Sequence, residues 1–381
     1  MKSSIEQIVK QFKIKGEVFD IIHNNTGNIN KTYIVYVNND SQIKKYILQT
    51  INTNVFKEPY LLMQNIKNVT KYCRNYLKSN NEDYKRGALN VIRTINDENL
   101  LKTKDNEYYR MYDFVENTKS YDKTEDKKTF YNVGKAFGRF VRMLDGYPIN
   151  ELIETIPNFH NTKIRYMDFI NSVNNDLYNR VKNVTEEINF IHERKKYMGI
   201  IVDLIENKQI PVRVTHNDTK INNILMDSVT NEAVCVIDLD TVMPGSALYD
   251  FGDAIRAGAA KTYEDDTNLN NVGINVEYFT SFTDGYLKET KDILTKTETE
   301  HLALSCIILT LELAMRFLTD YINGDTYFKC DYENHNLDRA RNQIALVKNM
   351  EKNYIQMDNI VKNIAGSTKC KSMKIKSNLN Y

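Results

Sequence analysis

Thirty residues in the second half of the chain, Pro211 to Asp240, restrict what it can fold into more than any other stretch. Short apolar runs at Pro211 to Thr215, Ile224 to Met226 and Ala233 to Ile237 read as three brief strands, so the polar groups crowd into the turns between them. The first turn is His216-Asn217-Asp218-Thr219-Lys220-Ile221-Asn222-Asn223, and the third strand is closed by a second carboxylate, Asp238. Carboxylate and amide oxygens are what Mg²⁺ takes beside nucleotide phosphates, and a further carboxylate can orient an attacking hydroxyl and accept its proton. Asp218 suits the second task, and Asn223 and Asp238 suit the first. Lys220 offers a mobile positive charge for a transferred phosphoryl group. The plainer reading of the same residues is an Asx-turn loop, and His216 is expected to buttress it rather than shuttle protons.

At 381 residues the chain exceeds one typical core, and two packed lobes are expected: residues 1–117, residues 118–365, and a flexible tail at 366–381. The balance of 51 basic and 50 acidic residues gives no global field for nucleic acid or an anionic membrane, which favours a small-molecule partner; separately, a monomer is expected. Five cysteines (Cys73, Cys235, Cys306, Cys330, Cys370) never form C-x-x-C, and the start, Met1-Lys2-Ser3-Ser4-Ile5-Glu6, is too charged for a secretion signal. Together they imply the cytoplasm. The longest apolar region, Leu302 to Leu318, carries Glu312 and Arg316 and reads as a buried helix rather than a membrane span.

The first lobe opens with a short helix (Ser4 to Phe12) and β-rich runs at Val18 to Ile22, Thr32 to Val37 and Lys45 to Ile51, which predict a small antiparallel sheet. The turn Asn24 to Asn30, with Gly27 and Asn28, reads either as a flap over phosphates or as a plain hairpin loop. Gln49 stands where a kinase-like third strand would carry a lysine, and the helix from Pro59 to Tyr76 has no acid after Glu58. Strands at Asn90 to Asn96 and Tyr108 to Val115 follow. The main chain of Phe114, Val115 and Glu116 would meet an adenine edge at a hinge.

Beyond it the pattern turns helical: Thr124 to Leu144, Lys163 to Val181, Val184 to Asn207, Leu248 to Ala257, Val276 to Leu287, Thr297 to Tyr321 and Asn336 to Val361. Ser246 can cap the helix that carries Asp250, and Asp250 reads as a brace for the His216 loop. Asp240 faces either an acceptor pocket or solvent. Glu312, Arg316 and Asp320 stand at i, i+4 spacing, so Arg316 belongs either to a salt-bridge ladder or to a binding site. The aromatics Tyr327 and Phe328 could pack on a sugar face or seal the core.

The spacing H-x-D-x-x-x-x-N of His216, Asp218 and Asn223, with Val236 to Asp240, resembles the aminoglycoside phosphotransferase and choline kinase superfamily. Gly27 to Tyr33, Leu48 to Asn52, Arg110-Met111-Tyr112, His216 to Lys220, Arg316 to Tyr321 and His335 to Arg341 are similar, more narrowly, to N-acetylhexosamine 1-kinases. The likeness spans roughly residues 15 to 355. It implies an α+β, two-lobed protein-kinase-like fold with a small antiparallel N-terminal lobe and a larger helical C-terminal lobe. It also implies ATP and Mg²⁺ as cofactors and the anomeric hydroxyl of N-acetylglucosamine or N-acetylgalactosamine as acceptor. On it, Asp218 is the base, Asn223 and Asp238 hold the metal, and Arg316 and Tyr327 contact sugar hydroxyls. Asn28 stands where the family often has a His, and can bond a sugar hydroxyl or amide. The competing expectations are another acceptor (an aminoglycoside, choline or homoserine) and a silent nucleotide-sensing pseudokinase, against which the intact Asp218, Asn223 and Asp238 argue.

Overall fold

The computed structural model describes residues 2–24, 29–40, 42–123 and 126–377, with side chains between 5 and 366. Gly27 and Asn28 lie outside the described residues. The chain divides into two units, one of Met1–Lys119, Gly146–Pro157 and Leu225–Met243, the other of Ser120–Asp145, Asn158–Ile224 and Pro244–Tyr381. The first break falls two residues after the expected boundary, and two later segments return to the first unit. The hairpin bearing Asp238 is therefore built with the N-terminal strands.

In the first unit, α1 (Lys2–Val9) precedes β1 (Glu17–Asn24), β2 (Thr32–Asn39) and β3 (Gln42–Thr50), and then come α2 (Pro59–Ser79), α3 (Tyr84–Gly87), β4 (Val91–Ile92), β5 (Leu101–Lys102) and β6 (Tyr108–Asp113). The sheet order is β1-β2-β3-β6-β4, with β5 also on β6, and the pairs are antiparallel. Alternation turns Val35, Val37, Leu48 and Met111 into a core that α1 closes with Ile5 and Val9. Pro59 starts α2, its fixed φ suiting the first helical turn, and Leu62, Ile66, Val69, Cys73 and Leu77 form its buried stripe. The strand Thr118–Lys119 pairs with Asp227 and Met226, whose strand, Ile224–Asp227, forms a hairpin with Ala233–Val236. The long strand expected over Asn90 to Asn96 is only the two-residue β4.

The second unit is helical: α4 (Lys127–Met143), α5 (Thr162–Asn175), α6 (Thr185–Glu193), α7 (Ile200–Glu206), α8 (Ala247–Gly258), α9 (Val276–Thr290), α10 (Lys296–Ile322) and α11 (His335–Ser377). The helix expected from Val184 to Asn207 is two, because a 3₁₀ turn at Lys195–Tyr197 and then Gly199 interrupt it. The helix α11 runs into the stretch expected as a flexible tail. Side chains cap α4 (Asp126), α5 (Asn161), α8 (Ser246) and α9 (Asn275), and Thr295 with Glu298 closes a capping box on α10.

Glycines let α4 and α9 touch backbone to backbone. A Cβ on Gly134 would stand 2.2 Å from the Phe282 carbonyl oxygen, and one on Gly285 would stand 2.1 Å from that of Tyr131. Around this crossing Phe130, Phe251, Phe279, Phe282 and Tyr286 fill the core. The 27-residue α10 is long and apolar enough to cross a membrane, but 78% of its most apolar window is buried inside the protein.

Candidate active site

The loop from His216 to Asn223 leaves the strand Arg213–Thr215 of the second unit and is fixed from α8. Asp250, in the first turn of that helix, accepts the backbone N–H of His216 at 2.9 Å and of Asn217 at 2.8 Å, the brace its position suggested. Burial pushes the Asp250 carboxyl up, against the pull of His216 and of those two N–H groups. Asn217 takes the left-handed conformation at φ 63°, which an Asn tolerates better than most residues. Thr219 donates its N–H to Asp253 at 2.9 Å and its hydroxyl to the Asp250 carbonyl at 2.6 Å. Arg256 grips Asp253 with two bonds of 3.0 and 2.8 Å. Burial alone would raise the Asp253 pKa; Arg256 and Lys220 hold it below the ordinary carboxylate value. His216 is fully buried, edge-on to Phe137 and Phe140, and so serves the loop rather than solvent.

This framework leaves Asp218 at the partly open tip. Lys220 Nζ lies 2.8 Å from Asp218 Oδ1, and the Asn223 amide N–H₂ donates to the Asp218 carbonyl at 2.8 Å and to Oδ2 at 3.2 Å. Asp218 raises the Lys220 pKa more than burial lowers it, so the lysine stays charged. The Asn223 amide nitrogen is thus committed to Asp218.

In the first unit, Asp238 is left-handed at φ 59° and ψ 57° and opens the 3₁₀ turn Leu239–Thr241. Such a backbone turns the chain sharply after the strand, placing two carboxylates in quick succession. Asp240 fits neither sequence expectation. It is only 4% exposed, and its oxygens are taken by Arg110, through two guanidinium nitrogens, and by Asn30 Nδ2 at 2.6 Å. Arg110 also donates to Gln49 Oε1 at 3.1 Å, and Gln49 donates to Thr32 Oγ1 at 3.0 Å, so Gln49 serves the sheet. From α2, Asn65 donates to the carbonyls of Val242 at 3.0 Å and Ile153 at 2.7 Å. At the expected hinge, the Phe114 N–H is used by the Lys45 carbonyl, the Val115 carbonyl accepts Thr118 Oγ1 and the Glu116 carbonyl accepts Arg86. Among the described residues no bond from the Val115 or Glu116 N–H is found.

A third cluster belongs to the second unit. Of the expected ladder through Arg316, the Glu312 step forms as a long ion pair at 3.8 Å, and the Asp320 step is not found among the described residues. Glu312 holds His160 Nδ1 at 3.0 and 3.1 Å, and Asp320 accepts the N–H groups of Thr326, Tyr327 and Phe328 and the amide of Asn336. Arg316 comes no closer than 3.8 Å to Glu312 and lies among the rings of Phe159, Phe328 and Tyr327 at 5.3, 5.6 and 6.0 Å. Tyr327 is 62% exposed, so Arg316 and Tyr327 form a surface-reaching pair. Burial lowers the pKa of Arg165, and the neighbouring charge of Arg316 lowers it further.

Each unit carries an oxygen donor of the type a hard cation takes, the Asn223 amide in the second and the Asp238 carboxylate in the first, and among the described residues no three His, Cys, Asp or Glu side chains gather as a metal cluster. Sequence reasoning gave no role to Arg110, Asn65, Asp253, Arg256 or His160. Arg110 alone had a signal, as part of the Arg110-Met111-Tyr112 likeness.

Comparison with known proteins agrees with this geometry. A family model described as the phosphotransferase enzyme family matches residues 27–271. An aminoglycoside phosphotransferase from Alicyclobacillus acidocaldarius superposes with a TM-score of 0.57 at 12% identity, covering 93% of this chain and 95% of that one. A choline kinase from Cryptosporidium parvum gives 0.54 at 14% identity over 96% and 98% of the two chains. A spectinomycin phosphotransferase, solved with ADP and spectinomycin, gives 0.50 at 14% identity over 96% and 98%. These likenesses show a shared kinase-like fold, and with the family match over more than half of its length the chain belongs to the phosphotransferase enzyme family.

Proposed function

We propose that this enzyme transfers the γ-phosphoryl group of ATP to the anomeric hydroxyl of an N-acetylhexosamine. The observation that carries the acceptor is the setting of Arg316. Arg316 stands among aromatic rings with the charge of Arg165 nearby, and the adjacent acids are engaged, Glu312 by His160 and Arg316 and Asp320 by main-chain N–H groups. A cationic acceptor such as choline or an aminoglycoside would find Glu312 and Asp320 already engaged there by Arg316, His160 and main-chain N–H groups. A neutral sugar gains instead, because hydroxyl and amide oxygens accept from Arg316 and a pyranose face packs on Tyr327.

The chemistry follows from the loop. Asp218 orients the acceptor hydroxyl and takes its proton late, which suffices because an anomeric hydroxyl is more acidic than an ordinary alcohol. Lys220, already paired with Asp218, places its charge where negative charge gathers on the transferred group. Asn223 and Asp238 would hold Mg²⁺, which neutralises phosphate charge when bound. The hinge N–H groups of Val115 and Glu116 would receive the adenine. Gly27 takes the flap role over the phosphates that its turn suggested, and Asn28 the sugar contact that the resemblance implies. The same reading has a monomer in the cytoplasm, where ATP and reduced thiols coexist; Cys73, Cys235 and Cys306 are buried free thiols.

The test is ADP release across N-acetylglucosamine, N-acetylgalactosamine, choline, ethanolamine and spectinomycin. Turnover is expected with the acetamido sugars, and higher kcat/KM with an amine acceptor would overturn the assignment. Arg316→Met is expected to raise the sugar KM about tenfold or more while the ATP KM changes less than about twofold.

A further inference from the structure

Protein kinases of this fold join a lysine on the third strand to a glutamate on the following helix, and that ion pair sets the nucleotide phosphates. Here the strand position is Gln49 and α2 carries no acid after Glu58, yet both elements still reach toward one feature. Gln49 lies directly opposite Arg110 in the β3–β6 register and accepts its Nε–H at 3.1 Å. Arg110 is 1% exposed and spends its remaining nitrogens on both oxygens of Asp240. Asp240 sits in the 3₁₀ turn that Asp238 opens, and Asn65, fully buried on α2, holds the far end of that turn through the Val242 carbonyl at 3.0 Å. The same carboxylate also takes Asn30 Nδ2 at 2.6 Å, and Asn30 Oδ1 accepts the Asn52 N–H at 2.9 Å, so the ends of the β1–β2 turn and of β3 are tied in. Asp238 also lies within electrostatic range of Arg110.

We infer that Arg110 is a positioning residue, which acts through Asp240 to fix the turn bearing Asp238 and so sets the affinity for a metal–nucleotide complex. The inference rests on the phosphotransferase reading of Asp238. It differs from a lysine clamp in kind, because each of the three guanidinium nitrogens already donates to Asp240 or Gln49. A left-handed Asp has several accessible backbone states once released, and the Arg110–Asp240 bonds with the Asn65 bond leave it one.

A structural role and a positioning role separate in a double variant. Arg110→Met alone leaves Asp240 buried without its cation and is expected to melt at a lower temperature than the wild type. Arg110→Met with Asp240→Leu removes both charges and is expected to regain most of that melting temperature. The probe is Mn²⁺ with a non-hydrolysable ATP analogue, followed by the electron paramagnetic resonance signal of free Mn²⁺. The double variant is expected to bind it about tenfold or more weakly than the wild type, as when the partners that orient a metal ligand are lost. Arg110→Lys, which keeps the charge but not the two-pronged geometry, provides a folded comparison and is expected to be weakened at least about threefold. Wild-type affinity in both the double variant and Arg110→Lys would overturn the inference. A wild-type protein that binds no Mn²⁺ with the analogue would overturn the underlying function as well, a distinct outcome.

Discussion

Asp218→Asn is expected to lower kcat by about 10²–10⁴-fold, the range that a positioned general base contributes. The substitution keeps the size of the side chain and an oxygen to accept from Asn223, so the loop, held by Asp250 and Asp253, should keep its shape. What is lost is the basic oxygen and the charge that pairs with Lys220 at 2.8 Å. Calorimetric titration with Mg·ATP should therefore give a Kd within about twofold of wild type while steady-state turnover collapses. A variant that turns over near the wild-type rate would remove Asp218 from the chemistry and leave Lys220 and Asn223 holding an ordinary turn.

Asp250→Asn should produce the second largest loss, without any contact to a reactant. Both oxygens of Asp250 accept main-chain N–H groups, from His216 and Asn217, and an amide can accept only one of them. Its own N–H₂ would face the other donor in a fully buried site, which costs about 1–3 kcal/mol. Asn217, held left-handed at φ 63°, is then free to relax, and Asp218 moves with it. A misplacement of about 1 Å costs about 100-fold in turnover. We expect kcat to fall by about that factor, with a lower melting temperature and an ATP KM near wild type. Unchanged kcat at a lowered melting temperature would show that the loop keeps its geometry without this brace.

The difference between these residues and Arg110 shows what a sequence can carry. The His216 loop lies between short apolar runs, and its brace enters from the first turn of the next helix, only 34 residues beyond His216. Local patterning and helix-start chemistry are enough to see it. The Arg110–Asp240 pair spans 130 residues, and Asn65 reaches Val242 across 177. Nothing in local periodicity encodes such contacts, so Asp240 read as solvated or acceptor-facing and Gln49 as a missing lysine. Arg316 misled in a different way. Its i, i+4 spacing to Glu312 and Asp320 is the pattern of a salt-bridge ladder, but only a long 3.8 Å pair with Glu312 is found, because tertiary partners engage both acids: His160 from before α5 and the main chain of residues 326–328. Helix positions were mostly legible because their caps are local; the broken helix at Lys195–Tyr197 was not, since its apolar spacing continues through the break.

The most direct test of the proposed reaction is phosphorus–proton correlation NMR of the product formed from ATP, Mg²⁺ and N-acetylglucosamine or N-acetylgalactosamine. A new phosphate ester coupled to the anomeric proton at C1 is expected, absent with Asp218→Asn. Coupling to the C6 protons, or no sugar ester while an amine acceptor is phosphorylated, would contradict it.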